Sequence, residues 1–321
     1  MDTKPAIARA APIGVFDSGV GGLTVLRALA EQLPAERFLY LGDTARLPYG
    51  TKTADTVIRY SVQCAGRLVE RGVKALVVAC NTASSVALPA VAAAYPGIPV
   101  LGVVEPGAEA AVAATRNGHV AVIATEGTVR GGAYLRALQT RRPGLRVTQV
   151  PCALFVSLAE EGWTDGAVAE AVAHRYLDTV FTGPDAPDTL LLGCTHFPVL
   201  KAMLGRVVGS GVTLVDSAAT TAAAMEVLLA GMEAREQAPS HHEQVSGQQV
   251  AGFCGSEQQM EGLCGSEQQM EGLCGSELAR DSSQPPRFHF LATDGLERFA
   301  RVGATFMGTP IATDELELVD L

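Results

Sequence analysis

The amino-acid sequence predicts an α/β fold of two pseudo-symmetric lobes, each a mostly parallel sheet flanked by helices, with an active site in the cleft between them. Short apolar runs alternate along the chain with amphipathic stretches, which is typical of β/α units around parallel sheets. Equivalent features also recur in the same order in the two halves of the chain, and this repetition predicts the two lobes. The pairs are Asp17 with Thr125, Cys80 with Cys194, and Glu105 with Asp216.

The predicted strands are short apolar runs that end in small or polar residues. They cover residues 13–17, 38–42, 75–80, 99–104, 120–125, 189–194 and 213–216. Three amphipathic segments have apolar residues three and four positions apart and predict helices at 21–33, 53–72 and 165–181. Gly72 ends the second of these segments as a helix cap would.

These elements and the composition divide the chain into a tail, two lobes and an insertion. The predicted parts are a flexible N-terminal tail at 1–12, a first lobe at 13–104 that is completed by 215–232 and 287–321, a second lobe at 105–214, and a disordered insertion at 233–286.

The insertion is predicted from a tandem repeat. The decapeptide CGSEQQMEGL occurs at 254–263 and again at 264–273, a truncated copy follows at 274–277, and a degenerate copy precedes at 244–253. Repeats this rich in Gln, Glu, Gly and Ser bury too little apolar surface to offset the entropy of ordering. A solenoid would need longer and better patterned repeats.

Composition restricts the class of protein. The 321 residues are 48% hydrophobic, which is enough for substantial cores, and the net charge of −10 argues against a nucleic-acid partner. No run approaches the ~18 to 20 apolar residues of a membrane span, and the first dozen residues lack the apolar run of a signal peptide. Seven cysteines, an odd number, suggest free thiols. We therefore expect a cytoplasmic protein without a membrane partner.

Two cysteines are the main candidates for chemistry. Cys80 and Cys194 each follow an apolar strand directly, and ligands bind at the carboxyl ends of parallel strands. A single cysteine in this position is more often a small buried apolar residue. The pseudo-symmetry instead places one thiol on each side of a shared cleft. Such a pair can remove a proton from one face of a carbon and deliver one to the other face.

A reactive thiol pair needs neighbours that stabilise a thiolate or relay protons. Asp17 and Ser18 follow the first strand, and His196 lies two residues beyond Cys194. The alternatives are that Asp17 caps a helix and that His196 is a structural residue.

Other chemistries have weaker support. The segment FDSGVGG at 16–22 lacks both the Lys-Ser/Thr ending of a P-loop and G-x-G-x-x-G spacing, although the same helix start could bind a substrate carboxylate. No lysine lies in an evident pyridoxal setting. Cys254, Cys264 and Cys274 lack the C-x-x-C spacing of zinc sites. We predict no metal and no cofactor.

Four motifs resemble the signatures of the glutamate racemase family, within the aspartate/glutamate racemase superfamily. They are FDSGVGGLTV at 16–25, DTARLPYG at 43–50, ACNTAS at 79–84 and GCTHFP at 193–198. The similarity runs from Ile13 to Leu229 and resumes at 288–308, which resembles the closing strand and helix of the family. The decapeptide repeats depart from the family pattern and leave these motifs intact.

The resemblance implies a cofactor-independent enzyme that interconverts L- and D-glutamate and supplies D-glutamate for peptidoglycan. It implies that Cys80 acts on D-glutamate and Cys194 on L-glutamate, with Asp17 and His196 assisting the thiols. The substrate-binding positions that it implies are Asp17, Ser18, Tyr49, Gly50, Asn81, Thr82, Thr195 and His196. Thr125, Thr128 and Glu160 also resemble family positions near the cleft, through shorter local matches.

Two alternatives stay open at this point. One is an aspartate racemase or another amino-acid racemase of the superfamily, which would share the thiol pair and differ in pocket size. The other is a non-catalytic, gyrase-binding regulator on the same scaffold, which the acidic composition does not support. Glutamate is the expected small-molecule partner. The sequence leaves open the oligomeric state, with a homodimer as one option, activation by cell-wall precursors and the role of the repeats.

Overall fold

The structure is a computed structural model that describes residues 10–237 and 287–321. Residues 10–231 and 287–321 belong to one compact unit. Residues 232–285 belong to a second unit, of which 232–237 are described. The predicted tail as far as residue 9, and the predicted disorder of 238–286 with all of the repeats, lie outside the described residues.

Parallel strands form two sheets. The strands are β1 (Ile13–Asp17), β2 (Phe38–Gly42), β3 (Ala75–Val78), β4 (Val100–Gly102), β5 (His119–Ala124), β6 (Arg146–Pro151), β7 (Thr189–Gly193), β8 (Thr213–Asp216), β9 (Phe288–Ala292) and β10 (Leu316–Leu318). Every strand predicted from an apolar run is present, with its ends within two residues of the prediction. The apolar pattern missed β6 and β10. In β6 no residue is fully buried, so this edge strand lacks an apolar run.

The order of strands confirms the predicted fold class and its pseudo-symmetry. The first sheet has the order β10-β9-β2-β1-β3-β4, and the second has β6-β5-β7-β8, with every neighbouring pair parallel. The series β2-β1-β3-β4 is therefore repeated by β6-β5-β7-β8. Because β8 pairs with β7, the lobe boundary predicted at residue 214 falls inside a strand of the second sheet.

Helices connect the strands and cover the sheets. They are α1 (Leu23–Gln32), α2 (Ala54–Glu70), α3 (Asn81–Val86), α4 (Leu88–Ala94), α5 (Val104–Ala114), α6 (Glu126–Gly131), α7 (Ala133–Arg141), α8 (Leu154–Glu160), α9 (Ala167–Leu177), α10 (Lys201–Val208), α11 (Ser217–Gln237) and α12 (Leu296–Met307). Within these described residues, no helix has the length and apolar character that crossing a membrane requires.

Local sequence accounts for both ends of α2. The hydroxyl of Thr53 accepts a hydrogen bond from the backbone N–H of Thr56, which satisfies a free donor at the start of the helix. Gly72 follows the last turn with a φ of 75°, a conformation that glycine adopts without steric cost, so the predicted cap is confirmed. Farther along the chain, α11 continues to Gln237, past residue 233 where the insertion was predicted to begin.

Each sheet is buried on both faces. Successive side chains of a strand point to opposite faces, so Val15 packs in the core with α1 and α12 while Phe16 packs in the core with α2. In the second sheet, Ile123 packs in the core on one face and Val122 packs in the core on the other face. Each fully buried side chain of this size contributes about 1.5–3 kcal/mol. The cores therefore hold the strand ends, where the candidate residues lie, in defined positions.

Candidate active site

Cys80 and Cys194 lie at equivalent positions on the carboxyl edges of the two sheets. Cys80 follows β3, which pairs with β1, and Cys194 follows β7, which pairs with β5. Each residue is 5% exposed. The two thiols also interact electrostatically, because charge on Cys194 raises the pKa of Cys80. The pseudo-symmetry thus brings the two cysteines to one buried site.

The surroundings of Cys80 favour the neutral thiol. Its sulfur accepts a hydrogen bond from the backbone N–H of Ala83 at 3.5 Å, and its S–H donates to Ser18 Oγ at 3.6 Å. Burial, followed by the negative charge of Asp17, raises the pKa of Cys80 to about 12. Cys80 is therefore protonated at neutral pH and can act as a proton donor.

Cys194 has a different neighbour. Its sulfur lies 3.8 Å from His196 Nδ1, and His196 Nε2 lies 3.1 Å from Glu160 Oε1. Burial opposes the charged imidazolium, but the hydrogen bonds to Cys194 and Glu160, together with the charges of Cys194 and Asp17, outweigh it and raise the pKa of His196 to about 10. A positive charge at neutral pH therefore lies beside the Cys194 sulfur, and such a charge stabilises a thiolate.

Glu160 extends this arrangement to the last helix. Its second oxygen, Oε2, accepts a hydrogen bond from Arg298 Nη2 at 2.9 Å, and the hydrogen bond from His196 lowers the pKa of Glu160. Sequence reasoning missed Arg298, because no local pattern indicates which side chain α12 turns toward the site. Glu160 itself was expected near the cleft from the family resemblance, and the structure places it there.

Asp17 connects the first sheet to the loop that carries Cys194. Its carboxylate is fully buried, accepts the backbone N–H of Gly19 at 3.0 Å and lies 3.5 Å from the hydroxyl of Thr195. Burial raises the pKa of Asp17, and the charge of His196 partly offsets this effect. The carboxylate is thus close to both halves of the site.

Three threonine hydroxyls link the strand ends of the two sheets. Thr82, at the start of α3, lies 3.0 Å from Thr125 and 3.1 Å from Thr128 between hydroxyl oxygens. Thr125 and Thr128, at the start of α6, are 3.0 Å apart. Each hydroxyl can donate one bond and accept another, so the triangle satisfies all three. We refer to these residues as the threonine triangle.

Tyr49 and Gly50 are neighbours in the sequence, but only Gly50 lies against the threonine triangle. A Cβ added to Gly50 would lie 2.8 Å from Thr125 Cβ, so only glycine allows the backbone to approach the threonine triangle this closely. The hydroxyl of Tyr49 donates to Asp43 at 2.5 Å, and the side chain is 1% exposed within the core of the first sheet. Because its side chain is buried in this core, Tyr49 can contact a ligand only through its backbone.

The site can take a proton at one sulfur and donate a proton from the other. Cys80 is a thiol held beside Ser18, and Cys194 lies beside an imidazolium. The hydroxyls and amides around them, those of Asn81 and Thr195 included, are neutral donors. Within the described ranges, no group of three or more His, Cys, Asp and Glu side chains is placed to hold a metal ion.

The chain is similar in sequence and in structure to known racemases. The Asp/Glu/Hydantoin racemase family profile matches residues 13–225. Glutamate racemase of Geobacter metallireducens is 51% identical over 244 residues, which cover 75% of this chain and 89% of that protein. Glutamate racemase of Koribacter versatilis is 42% identical over 314 residues, covering 96% and 97%. The crystal structure of Francisella tularensis glutamate racemase with D-glutamate is similar at a TM-score of 0.75 and 31% identity, covering 97% and 98%.

Proposed function

Because the chain belongs to the Asp/Glu/Hydantoin racemase family, we propose that Cys80 and Cys194 are the proton carriers with which it interconverts L- and D-glutamate. The enzyme is an isomerase, and glutamate is its substrate. The observation that supports the two-thiol assignment is the pair of cysteines at equivalent strand ends, one buried as a thiol and the other beside an imidazolium.

In the direction from L-glutamate, the Cys194 thiolate takes the α-proton. The C–H bond breaks, and its electron pair stays on the α-carbon and spreads into the adjacent carboxylate. The Cys80 thiol then donates its proton to the opposite face and becomes the thiolate. From D-glutamate the same transfers run in reverse, with Cys80 taking the proton. This choice of enantiomer for each thiol follows the family resemblance.

Asp17 and His196 give the two thiols different electrostatic surroundings. The His196 imidazolium lies beside the Cys194 sulfur, whereas burial and the charge of Asp17 raise the pKa of Cys80. The assignment therefore explains why the charged neighbour of Cys80 is negative and the charged neighbour of Cys194 is positive. Glu160 assists by holding His196 in its charged form.

The substrate is bound by neutral groups from both sheets and by two charged ones. We assign the neutral role to Ser18, Asn81, Thr82, Thr195, and the backbone of Tyr49 and Gly50, and the charged groups are Asp17 and His196. Hydroxyl and amide donors can bind both carboxylates of glutamate, and those near the α-carboxylate stabilise the charge that develops as the proton leaves.

The test is circular dichroism of L-glutamate and L-aspartate, each incubated with the purified full chain, without added cofactor and with a chelator present. The L-glutamate signal should decay to zero, because racemisation ends in an equal mixture, while the L-aspartate signal should persist. Decay of L-aspartate alone would indicate an aspartate racemase. No decay with either amino acid would favour a regulatory protein on this scaffold, and activity lost on chelation would contradict cofactor independence.

The cellular role that we propose is the supply of D-glutamate for peptidoglycan in the cytoplasm, and therefore a contribution to cell shape. Depletion of the protein should make growth depend on added D-glutamate.

We also propose a homodimer, which sedimentation of the full chain would test. A mass of about 33.4 kDa would indicate a monomer instead.

A further inference from the structure

The side-chain amide of Asn81 has one group without a partner. Asn81 directly follows Cys80 and is 3% exposed. Its Nδ2 is buried and has no hydrogen-bond partner among the described residues. A buried donor without a partner costs about 1–3 kcal/mol, so a bound ligand that accepts a hydrogen bond from this group would be stabilised by it.

The other end of the same amide is held by Tyr134. The Tyr134 hydroxyl donates to Asn81 Oδ1 over 2.6 Å. This distance is typical of an O–H···O bond and is shorter than the 2.9–3.0 Å usual for N–H···O. If the amide were rotated by half a turn, Nδ2 would lie 2.6 Å from the phenol oxygen, which is too short for an N–H···O bond. The hydroxyl therefore determines that the Asn81 oxygen points toward Tyr134 and that the NH2 group points away from it.

Tyr134 is itself rigidly placed. It lies on α7, is fully buried and packs in the core of the second sheet. A Cβ added to Gly193 would lie 3.0 Å from its ring, so the ring lies against the residue that precedes Cys194. Burial and the charge of Cys194 raise the pKa of Tyr134, so its hydroxyl keeps its proton and remains a donor.

We propose that Tyr134 is a positioning residue for glutamate binding: its hydroxyl fixes the Asn81 amide so that Nδ2 donates to a substrate carboxylate. Asn81 neighbours one thiol, and Tyr134 packs beneath the strand end that carries the other. One side chain of the second lobe thus orders a substrate donor of the first lobe. This inference rests on the proposed function.

The first test is Tyr134→Phe, which removes the hydroxyl and keeps the ring that packs against Gly193. The freed amide would lose its fixed orientation, so KM for glutamate should rise about tenfold while kcat changes less than about twofold, as expected when a contact is present in both the bound and transition states. The matched control is Tyr95→Phe, which removes a hydroxyl that donates to the Val62 carbonyl at 3.1 Å, away from the site. Its KM should equal that of the wild type.

The second test places Tyr134→Phe in an Asn81→Ala background. If the hydroxyl acts through the amide, KM should rise in Asn81→Ala and should not rise further in the double variant. A further rise of the same size would overturn the proposal, as would an unchanged KM in either single variant. Wild-type protein that fails to racemise glutamate would instead refute the proposed function.

Asn81→Asp is the variant to use if Tyr134→Phe does not fold. The carboxylate of the aspartate can still accept the Tyr134 hydroxyl, but it has no N–H to offer a substrate. KM for glutamate should therefore rise although the internal bond is retained, and circular dichroism of the protein backbone verifies that the variant folds. A normal KM in this variant would show that no donor is needed at this position and would overturn the proposal.

Discussion

At the level of single residues, the two thiols differ through their neighbours. Cys80 is buried beside the negative charge of Asp17, and both effects favour its protonated form. The neighbour of Cys194 is an imidazolium that Glu160 supports. A racemase with two opposed thiols needs one proton donor and one acceptor at the start of each turnover. These neighbours supply that difference without a metal or cofactor in the proposed mechanism.

We expect Cys80→Ala and Cys194→Ala each to abolish racemisation of glutamate, because each removes the proton carrier on one face of the α-carbon. Polarimetry in both directions, from L- and from D-glutamate, measures the effect. The matched control is Cys152→Ala, which removes a buried thiol that also lies near enough to Cys194 for its charge to raise the Cys152 pKa, but whose S–H donates to the Val150 carbonyl at 3.5 Å. Its activity should be normal. Substantial two-way turnover by either active-site variant would disprove the two-thiol mechanism.

The raised pKa of His196 predicts how stability depends on pH. An imidazolium that is favoured in the folded state adds stability that is fully present below the usual pKa of 6.5 and is lost as pH rises through about 10. The difference in free energy of unfolding between wild type and His196→Gln should therefore shrink from pH 6.5 to about 10. Urea unfolding across this range measures it. A difference that stays constant with pH would contradict the assigned charge of His196.

At the level of elements, the turn between β1 and α1 packs against the loop after β7. A Cβ added to Gly21 would lie 2.5 Å from Thr195 Oγ1 and from His196 Cε1. The contact is steric, because the glycines with positive φ lie elsewhere among the described residues. The absence of a side chain at Gly21 therefore lets the two loops meet at the site.

Gly21→Ala should displace His196 and lower kcat by about a hundredfold, since a shift near 1 Å in a catalytic group can cost that much. Gly205→Ala is the control, because a Cβ there would meet nothing closer than Leu214 at 4.0 Å. It lies within α10, where alanine should stabilise by about 0.5–1 kcal/mol. Steady-state kinetics and thermal unfolding of both variants separate the two effects. Normal kcat in Gly21→Ala would show that the loops can move apart without loss.

At the level of the whole molecule, the repeated strand order places the groups that we propose to bind the substrate at the strand ends of two sheets. Gly50 and Thr82 come from the first sheet, while Thr195 comes from the second. A ligand bound by both groups holds the lobes together. The unfolded chain cannot bind in this way, so binding should stabilise the fold.

Glutamate should therefore raise the melting temperature in a concentration-dependent manner, reaching about 2.7 kcal/mol of added stability at a hundred times Kd. Calorimetric melting of the Cys80→Ala variant with D-glutamate measures this without turnover. Aspartate at the same concentration should shift the melting temperature less. An unchanged melting temperature at all glutamate concentrations would contradict binding between the lobes.

The sequence by itself determined the features that depend on neighbouring residues. Apolar runs identified the buried strands, Gly72 the end of α2, and the repeated order of strand ends the two lobes and the cysteine pair. Such patterns can be detected because a strand or a helix cap is specified within a few positions of the chain. β6 and β10 were not predicted because their short, partly exposed segments carry little apolar signal.

Only the tertiary structure decided which distant side chains meet. It showed that Arg298 donates a hydrogen bond to Glu160, the Tyr134 hydroxyl to Asn81, and the Tyr49 hydroxyl to Asp43 in the core. The first two pairs join residues of different helices, 138 and 53 positions apart along the chain. Their contact depends on how helices pack over the sheets, and local sequence does not encode that packing. The two candidate proton carriers could thus be predicted from the sequence, whereas the contacts around them, and the contact that orients the Asn81 amide, required the fold.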